Sequence, residues 1–96
     1  MYGKNYYVYI MSNNHCTVFY VGITNNLDRR SIEHVHKLHK NSFTTKYNIE
    51  KLLYYETYDN PNDAIRREKQ LKKWGRSKKL LLIKKENSEM RNLLKE

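Results

Sequence analysis

Tyr6-Tyr-Val-Tyr-Ile-Met-Ser12, the connection Asn13-Asn-His-Cys-Thr17, and Val18-Phe-Tyr-Val-Gly-Ile-Thr24 form the stretch that decides the fold. Both flanks are rich in aromatic and β-branched residues, which suit a pleated, half-buried surface. The connection is short and turn-like, so the two flanks read as an antiparallel hairpin. Side chains alternate along a strand. Tyr7, Tyr9 and Met11 therefore share one face of the first strand, and Val18, Tyr20 and Gly22 share one face of the second. A hairpin sets Tyr9 near Tyr20. Two readings follow: cross-strand aromatics that fill space, or two phenols held side by side at a site. Gly22 adds information, because glycine near a strand end marks close approach by another group.

Working outward, Asn25 or Asn26 can cap a helix with Asp28 in its first turn, running to about Lys40. Asn41 to Asn48 is a polar loop that holds Phe43, Lys46 and Tyr47. Leu52 to Tyr58 reads as a third strand. Asn60-Pro61 is a helix start, with asparagine at the cap and proline at the first helical position. This helix runs to about Trp74, where Gly75 suits a C-terminal cap. Ser77 caps a further helix from Lys78 to about Lys85, and Asn87-Ser88 opens a last frayed turn or short helix. The order β-β-α-β-α-α predicts an α+β fold, a three-stranded antiparallel sheet flanked by helices. The 96 residues make one domain, with a core over about 5–84 and a C-terminal helical tail over 85–96.

The charge is uneven. Residues 61–96 hold twelve Lys/Arg against five Asp/Glu, whereas residues 1–60 hold seven against five. A basic stripe on a small domain fits nucleic acid, an anionic membrane surface, or plain solubility. Cys16 is the single cysteine. It excludes an internal disulfide and a zinc cluster of thiols and fits a reducing, cytoplasmic location. No apolar run has the length of a signal peptide or a membrane span. Gly-rich phosphate loops, G-x-S-x-G, H-E-x-x-H and C-x-x-C are all missing.

Helical periodicity picks out the chemistry. In the helix after the hairpin, Leu27, Ile32, Val35 and Leu38 form the apolar stripe. Arg30 and His34, one turn apart, border it and lean toward the sheet edge. Alternatively, Arg30 is a snorkelling surface arginine and His34 a half-buried packing residue. His36 and His39 read as surface residues. In the next long helix, Glu68 falls in the middle of an apolar arc made by Ala64, Ile65 and Leu71. A carboxylate there needs a metal or a cationic partner, and Arg30 is one candidate partner. A lone carboxylate suits Mg²⁺, which keeps several waters and shares phosphate oxygens, and does not suit Zn²⁺.

Tyr7-Val8-Tyr9, then Tyr20-Val21-Gly22, then Arg30, then Glu68 within Arg-Arg-Glu-Lys-Gln resemble the GIY-YIG nuclease superfamily. The likeness is to its small single-domain branch, similar to the N-terminal nuclease module of the excinuclease C subunit, and covers about residues 5–84. It implies the three-stranded fold and an endonuclease that cleaves phosphodiester bonds with a single divalent ion, Mg²⁺ or Mn²⁺. Carried over, Tyr9 and Tyr20 are the motif tyrosines, Arg30 is the catalytic arginine, His34 matches a histidine of many members, and Glu68 is the metal ligand. Tyr7 and Val8 replace the first motif's glycine and isoleucine. Many members have a late asparagine, for which Asn87 and Asn92 are the candidates.

The expected function is metal-dependent hydrolysis of DNA, structure-directed or directed by a protein partner, with RNA also open as substrate. DNA repair, mobile-element defence and recombination are all compatible processes. Tyr9 would handle the water's proton, alone or with His34, and Tyr20 would hold the water or the phosphate. Gly22, Lys46, Lys69, Lys72 and Lys73 are the expected substrate contacts, with Arg66, Arg67, Arg76, Lys78 and Lys79 adding phosphate contacts. Trp74 reads as core rather than as a stacking platform. The alternative is an inactive nucleic-acid-binding domain that retains the fold; another is a protein-interaction module whose basic tail serves solubility.

Overall fold

The computed structural model describes residues 5–27 and 46–94. Within them lie β1 (Tyr6–Ser12), β2 (Phe19–Thr24), β3 (Lys51–Tyr58), α1 (Pro61–Lys73) and α2 (Arg76–Glu86). The strands form one antiparallel sheet in the order β2-β1-β3. The α+β architecture is the one the sequence predicts. Most of the helix expected between the second and third strands, with Arg30 and His34, lies outside the described residues, as does Phe43.

β1 is central, which explains its apolar run: Val8, Tyr9, Ile10, Met11 and Ser12 are all buried. Alternation sorts them onto two faces. Val8 and Ile10 join Val21, Leu53 and Tyr54 against Ala64, Leu71 and Ile83 of the helices. Tyr9 and Met11 join Ile49 and Leu52 on the opposite face, with Tyr20, Leu27 and Leu94 packed against them. A register shift between Ile10 and Met11 inserts Leu53 as an extra residue of β3. That bulge breaks the alternation, so the adjacent Leu53 and Tyr54 serve the same face while Leu52 serves the other.

The hairpin turn is built by Asn13. Its Oδ1 accepts from the backbone N–H groups of Thr17 and Val18 at 2.8 and 3.1 Å, while its amide donates to Thr17 Oγ1 at 2.6 Å. Asn60 caps α1 as expected, accepting from the Asn62 N–H at 2.7 Å, and Pro61 follows at the first helical position.

Three expectations about the C-terminal third change. Gly75 is not a left-handed C-cap: it is the extended N-cap of α2 (φ −73°, ψ 172°), and Trp74 caps α1. Ser77 lies inside α2 rather than capping it. Residues 87–94 form turns, not a helical tail. The physical reason is in two asparagines. Asn87 donates to the carbonyls of Leu53 and Arg91 at 3.0 and 2.8 Å. Asn92 Oδ1 accepts from the N–H of Leu52 at 3.1 Å, and the Leu93 N–H donates to the Leu52 carbonyl at 2.7 Å. The tail thus covers the outer edge of β3, satisfying backbone groups that would otherwise offer a pairing edge. Both late asparagines are therefore occupied in holding the tail.

Candidate functional site

The register places Gly22 opposite Tyr9 and Tyr20 opposite Met11. Tyr20 is the diagonal neighbour of Tyr9, with ring centroids 6.2 Å apart and planes tilted by 42°. Tyr9 lies across the glycine. A Cβ on Gly22 would sit 2.5 Å from Tyr9 Cζ and 2.9 Å from Tyr20 Cε2. Gly22 is thus required by two tyrosine rings, not by its backbone angles, since no glycine has positive φ among the described residues. Tyr9 is 1 % exposed; Tyr20 is half-buried. Tyr7 packs on Tyr55 edge to face at 6.1 Å, as a scaffold residue would.

Tyr20 opens onto a cleft of about 300 Å³ at the outer edge of β2, lined also by Phe19, Val21, Lys72 and Lys79. Lys72 comes from α1 and Lys79 from α2. Burial holds the Lys79 ammonium below the usual lysine range. Lys72 Nζ pairs with Glu68 Oε2 at 2.8 Å, one turn back along α1. Lys72 thereby connects Glu68 to the cleft that Tyr20 lines.

Glu68 sits where the helix leaves the core. Ala64 and Leu71 are buried, but Ile65 is 42 % exposed. The carboxylate therefore borders the apolar stripe instead of occupying its middle, and its side chain is 15 % exposed. Lys72 holds Oε2; among the described residues Oε1 meets no hydrogen-bond donor or cation. Those residues contain no cluster of three or more acidic, histidine or cysteine side chains. One carboxylate oxygen without a donor among the described residues, beside lysines that attract phosphate, fits an ion that completes its shell with water and substrate oxygens.

A second carboxylate is not picked out by the helical and motif patterns of the sequence. Glu56 of β3 accepts from Tyr54 Oη at 2.5 Å and Tyr58 Oη at 2.6 Å. Arg67 of α1 donates to it through Nε and Nη2, both at 2.9 Å. Burial alone would raise the Glu56 pKa, but the hydrogen bonds from Arg67, Tyr54 and Tyr58 outweigh it and hold the carboxyl below its ordinary range. Burial, with the bond to Glu56, pushes Tyr54 up and Tyr58 up to about 12. Alternation brings Tyr54, Glu56 and Tyr58 to one face, a pattern readable in the sequence once Arg67 is recognised as pointing back at it.

Several expected phosphate contacts are used internally. Arg67 is spent on Glu56. Arg76 donates to the carbonyls of Thr17 and Cys16 at 2.8 and 2.6 Å and covers Phe19 at 4.7 Å, fastening α2 to the hairpin turn. Lys69 and Lys73 line a different cleft, with Arg66, Gln70 and Trp74. Trp74 is half-buried against the core and also borders this cleft. Lys46 is exposed, with Nζ 5.4 Å from the Tyr47 ring centroid.

The sequence matches the GIY-YIG catalytic domain over residues 5–81. The chain belongs to the GIY-YIG family. As a GIY-YIG domain it falls within a superfamily of nucleases. A UPF0213 protein of Syntrophus aciditrophicus is 37 % identical over 81 residues, covering 84 % of this chain and 91 % of the relative. A UPF0213 protein of Clostridium perfringens is 36 % identical over 94 residues, covering 94 % and 95 %. The solution NMR structure of the UPF0213 protein BH0048 from Bacillus halodurans superposes with a TM-score of 0.58 at 26 % identity, covering 94 % of each chain. Tyr9 lies on the central strand β1 and Tyr20 on the edge strand β2, while Glu68 lies on α1.

Proposed function

We propose that this protein is a divalent-metal-dependent endonuclease that hydrolyses DNA phosphodiester bonds in the cleft at the outer edge of β2. The observation that carries the reading is the arrangement of Glu68: a carboxylate with one oxygen paired to Lys72, which lines the cleft that holds Tyr20, and the other without a donor among the described residues.

The exposures divide the phenols by task. Tyr9 is too deeply buried to meet a water, so it backs Tyr20 and fixes its ring against Gly22. Tyr20 is the phenol at the cleft, placed to hold the attacking water or a phosphate oxygen. Lys72 and Lys79 supply positive charge for the scissile phosphate and its neighbour. Arg30 is assigned to the charge that grows on the phosphorane, and His34 to accepting the water's proton. Glu68 would hold one Mg²⁺ or Mn²⁺, an ion that neutralises the phosphate and favours departure of the leaving oxygen. Phosphate contacts read no base identity, so cutting is directed by substrate structure or by a protein partner, as a repair module's would be. Free Cys16 suits a cytoplasmic setting, and no helix among the described residues is long and apolar enough to cross a membrane.

The test is a cleavage assay on single-stranded, duplex and branched DNA with Mg²⁺ or Mn²⁺, comparing wild type with Glu68→Gln and Arg30→Ala. Metal-dependent cleavage by wild type, lost in both variants, supports the proposal. A wild type that binds these substrates and leaves them intact with either metal gives the binding-domain reading instead. Equal cleavage by all three proteins would place the site elsewhere.

A further inference from the structure

Lys72 and Lys79 line the same cleft as Tyr20, yet their surroundings divide them. Lys72 reaches in from α1. Its side chain is largely exposed, and its Nζ lies 2.8 Å from Glu68 Oε2. Water and the carboxylate both favour the charged form, so this lysine holds its proton. Lys79 comes from the start of α2 and is half-buried. Phe19 and Val21 supply apolar walls around it, and Tyr20 a phenol. Among the described residues no carboxylate lies within salt-bridge distance of Lys79. The other charges at the cleft are Lys72, with Glu68 behind it, and Arg76, which covers the Phe19 ring at 4.7 Å. Burial lowers the Lys79 pKa. The positive end of α2, with no acidic residue in its first turn, acts in the same direction.

We propose that Lys79 is the general acid of the cleavage, its Nζ giving a proton to the bridging oxygen that leaves phosphorus. The role rests on the nuclease reading above and fills a gap in it: metal, base and positive charge are assigned there, but no group protonates the leaving oxygen. The water oxygen bonds to phosphorus as its proton passes to His34. The bond from phosphorus to the bridging oxygen breaks, and its electron pair stays on that oxygen. Lys79 protonates the oxygen, which departs as an alcohol end and leaves a neutral amine. The proton on His34 returns to the amine through solvent, restoring the ammonium. An alkoxide is a stronger base than any neutral side chain, so a proton delivered here removes the charge that most opposes bond breaking. A general acid works best when its pKa lies near the operating pH. That favours half-buried Lys79 over solvated Lys72, which keeps its charge for Glu68 and the phosphate.

A leaving sulfur separates a proton donor from a phosphate contact. A thiol has a pKa of only about 8.5, so a thiolate departs without being protonated. The cut that the full-length wild type makes in DNA is mapped and its ends identified. The same DNA is then made with sulfur in place of the leaving bridging oxygen, a bridging phosphorothiolate. Wild type, Lys79→Arg, Lys79→Met and Lys72→Met are compared on both substrates in Mn²⁺. Lys79→Arg is the decisive variant: it keeps the positive charge, but a guanidinium cannot give up its proton. Both Lys79 variants should cleave the oxygen substrate at least about 100-fold more slowly than wild type and the sulfur substrate at close to the wild-type rate. Lys72→Met should slow both substrates by the same factor. Wild-type cleavage of the oxygen substrate by Lys79→Arg, or equal slowing of both substrates in the Lys79 variants, would overturn the general-acid role and leave the nuclease reading standing. A wild type that cleaves no DNA overturns that reading, and the role of Lys79 falls with it.

Discussion

Glu56 of β3 and Glu68 of α1 lie at nearly the same depth, with side chains 17 % and 15 % exposed. They differ in what meets their oxygens. Glu56 receives both phenols and the Arg67 fork, so each of its oxygens is committed. Glu68 has Lys72, itself 54 % exposed, on one oxygen. Burial alone thus does not mark a functional carboxylate. A carboxylate whose acceptor sites are filled by rigid donors is a clamp. One held by a single flexible lysine can exchange that partner for an ion at small cost, because the lysine itself is largely solvated and i,i+4 pairs on a helix are worth only about 0.3–0.5 kcal/mol.

The largest expected difference between them is in activity. Glu68→Gln should lower cleavage at least about 100-fold, equivalent to about 2.7 kcal/mol of transition-state stabilisation, while moving stability by no more than about 0.5 kcal/mol. Cleavage rates and denaturant midpoints measured on the same preparation check both halves. Glu56→Ala should show the opposite balance. It strands a half-buried guanidinium and two phenols, and should cost about 3 kcal/mol of folding free energy. A Glu56→Ala protein as stable as wild type would end the distinction.

Next in size is Gly22→Ala, which forces a methyl into the Tyr9 ring. Overpacking of this kind costs about 2 kcal/mol. Urea unfolding should show it, and activity should fall because the displaced ring is the one that backs Tyr20.

The pH dependence follows from the clamp. The folded Glu56 pKa is lowered, so its contribution is present above the unfolded glutamate value of about 4.3 and disappears as pH falls through the folded value. At the alkaline end, Tyr58 is raised to about 12. Its contribution is complete below the unfolded tyrosine value of about 10 and is lost as pH rises through about 12. A stability profile of Glu56→Gln should lose part of the acid slope that wild type shows; superimposable acid limbs would contradict the clamp. The smallest effect belongs to Arg76→Ala. It removes two hydrogen bonds to turn carbonyls and should cost about 1 kcal/mol, seen as a lower thermal midpoint with cleavage chemistry retained.

The difference between the glutamates also explains how much was legible beforehand. The β1 bounds, the Asn60-Pro61 helix start and the antiparallel hairpin follow from local pattern and cap chemistry, and the structure reproduces them. Glu68 stood out because a carboxylate next to Ala64 and Leu71 breaks a helical period. Glu56 broke no pattern: on a strand, Tyr54-x-Glu56-x-Tyr58 reads as ordinary alternation, and its partner Arg67 arrives from another element. Arg67 and Arg76 looked like phosphate ligands for the same reason, since charge is visible in sequence and its acceptor is not. The hairpin register, which puts Gly22 rather than Tyr20 opposite Tyr9, depends on the Asn13 turn geometry and not on residue type. Gly75 followed a composition rule for helix ends that the extended Trp74 corner made unnecessary.

The most direct measurement is a Mn²⁺ titration followed by amide NMR line broadening, because the ion broadens signals near its site and requires no substrate. Broadening at low Mn²⁺ centred on Glu68, Lys72 and Tyr20, sparing Tyr54, Glu56 and Tyr58, and abolished by Glu68→Gln is the expected result. Broadening centred on Glu56, or a pattern unchanged in Glu68→Gln, would contradict the account.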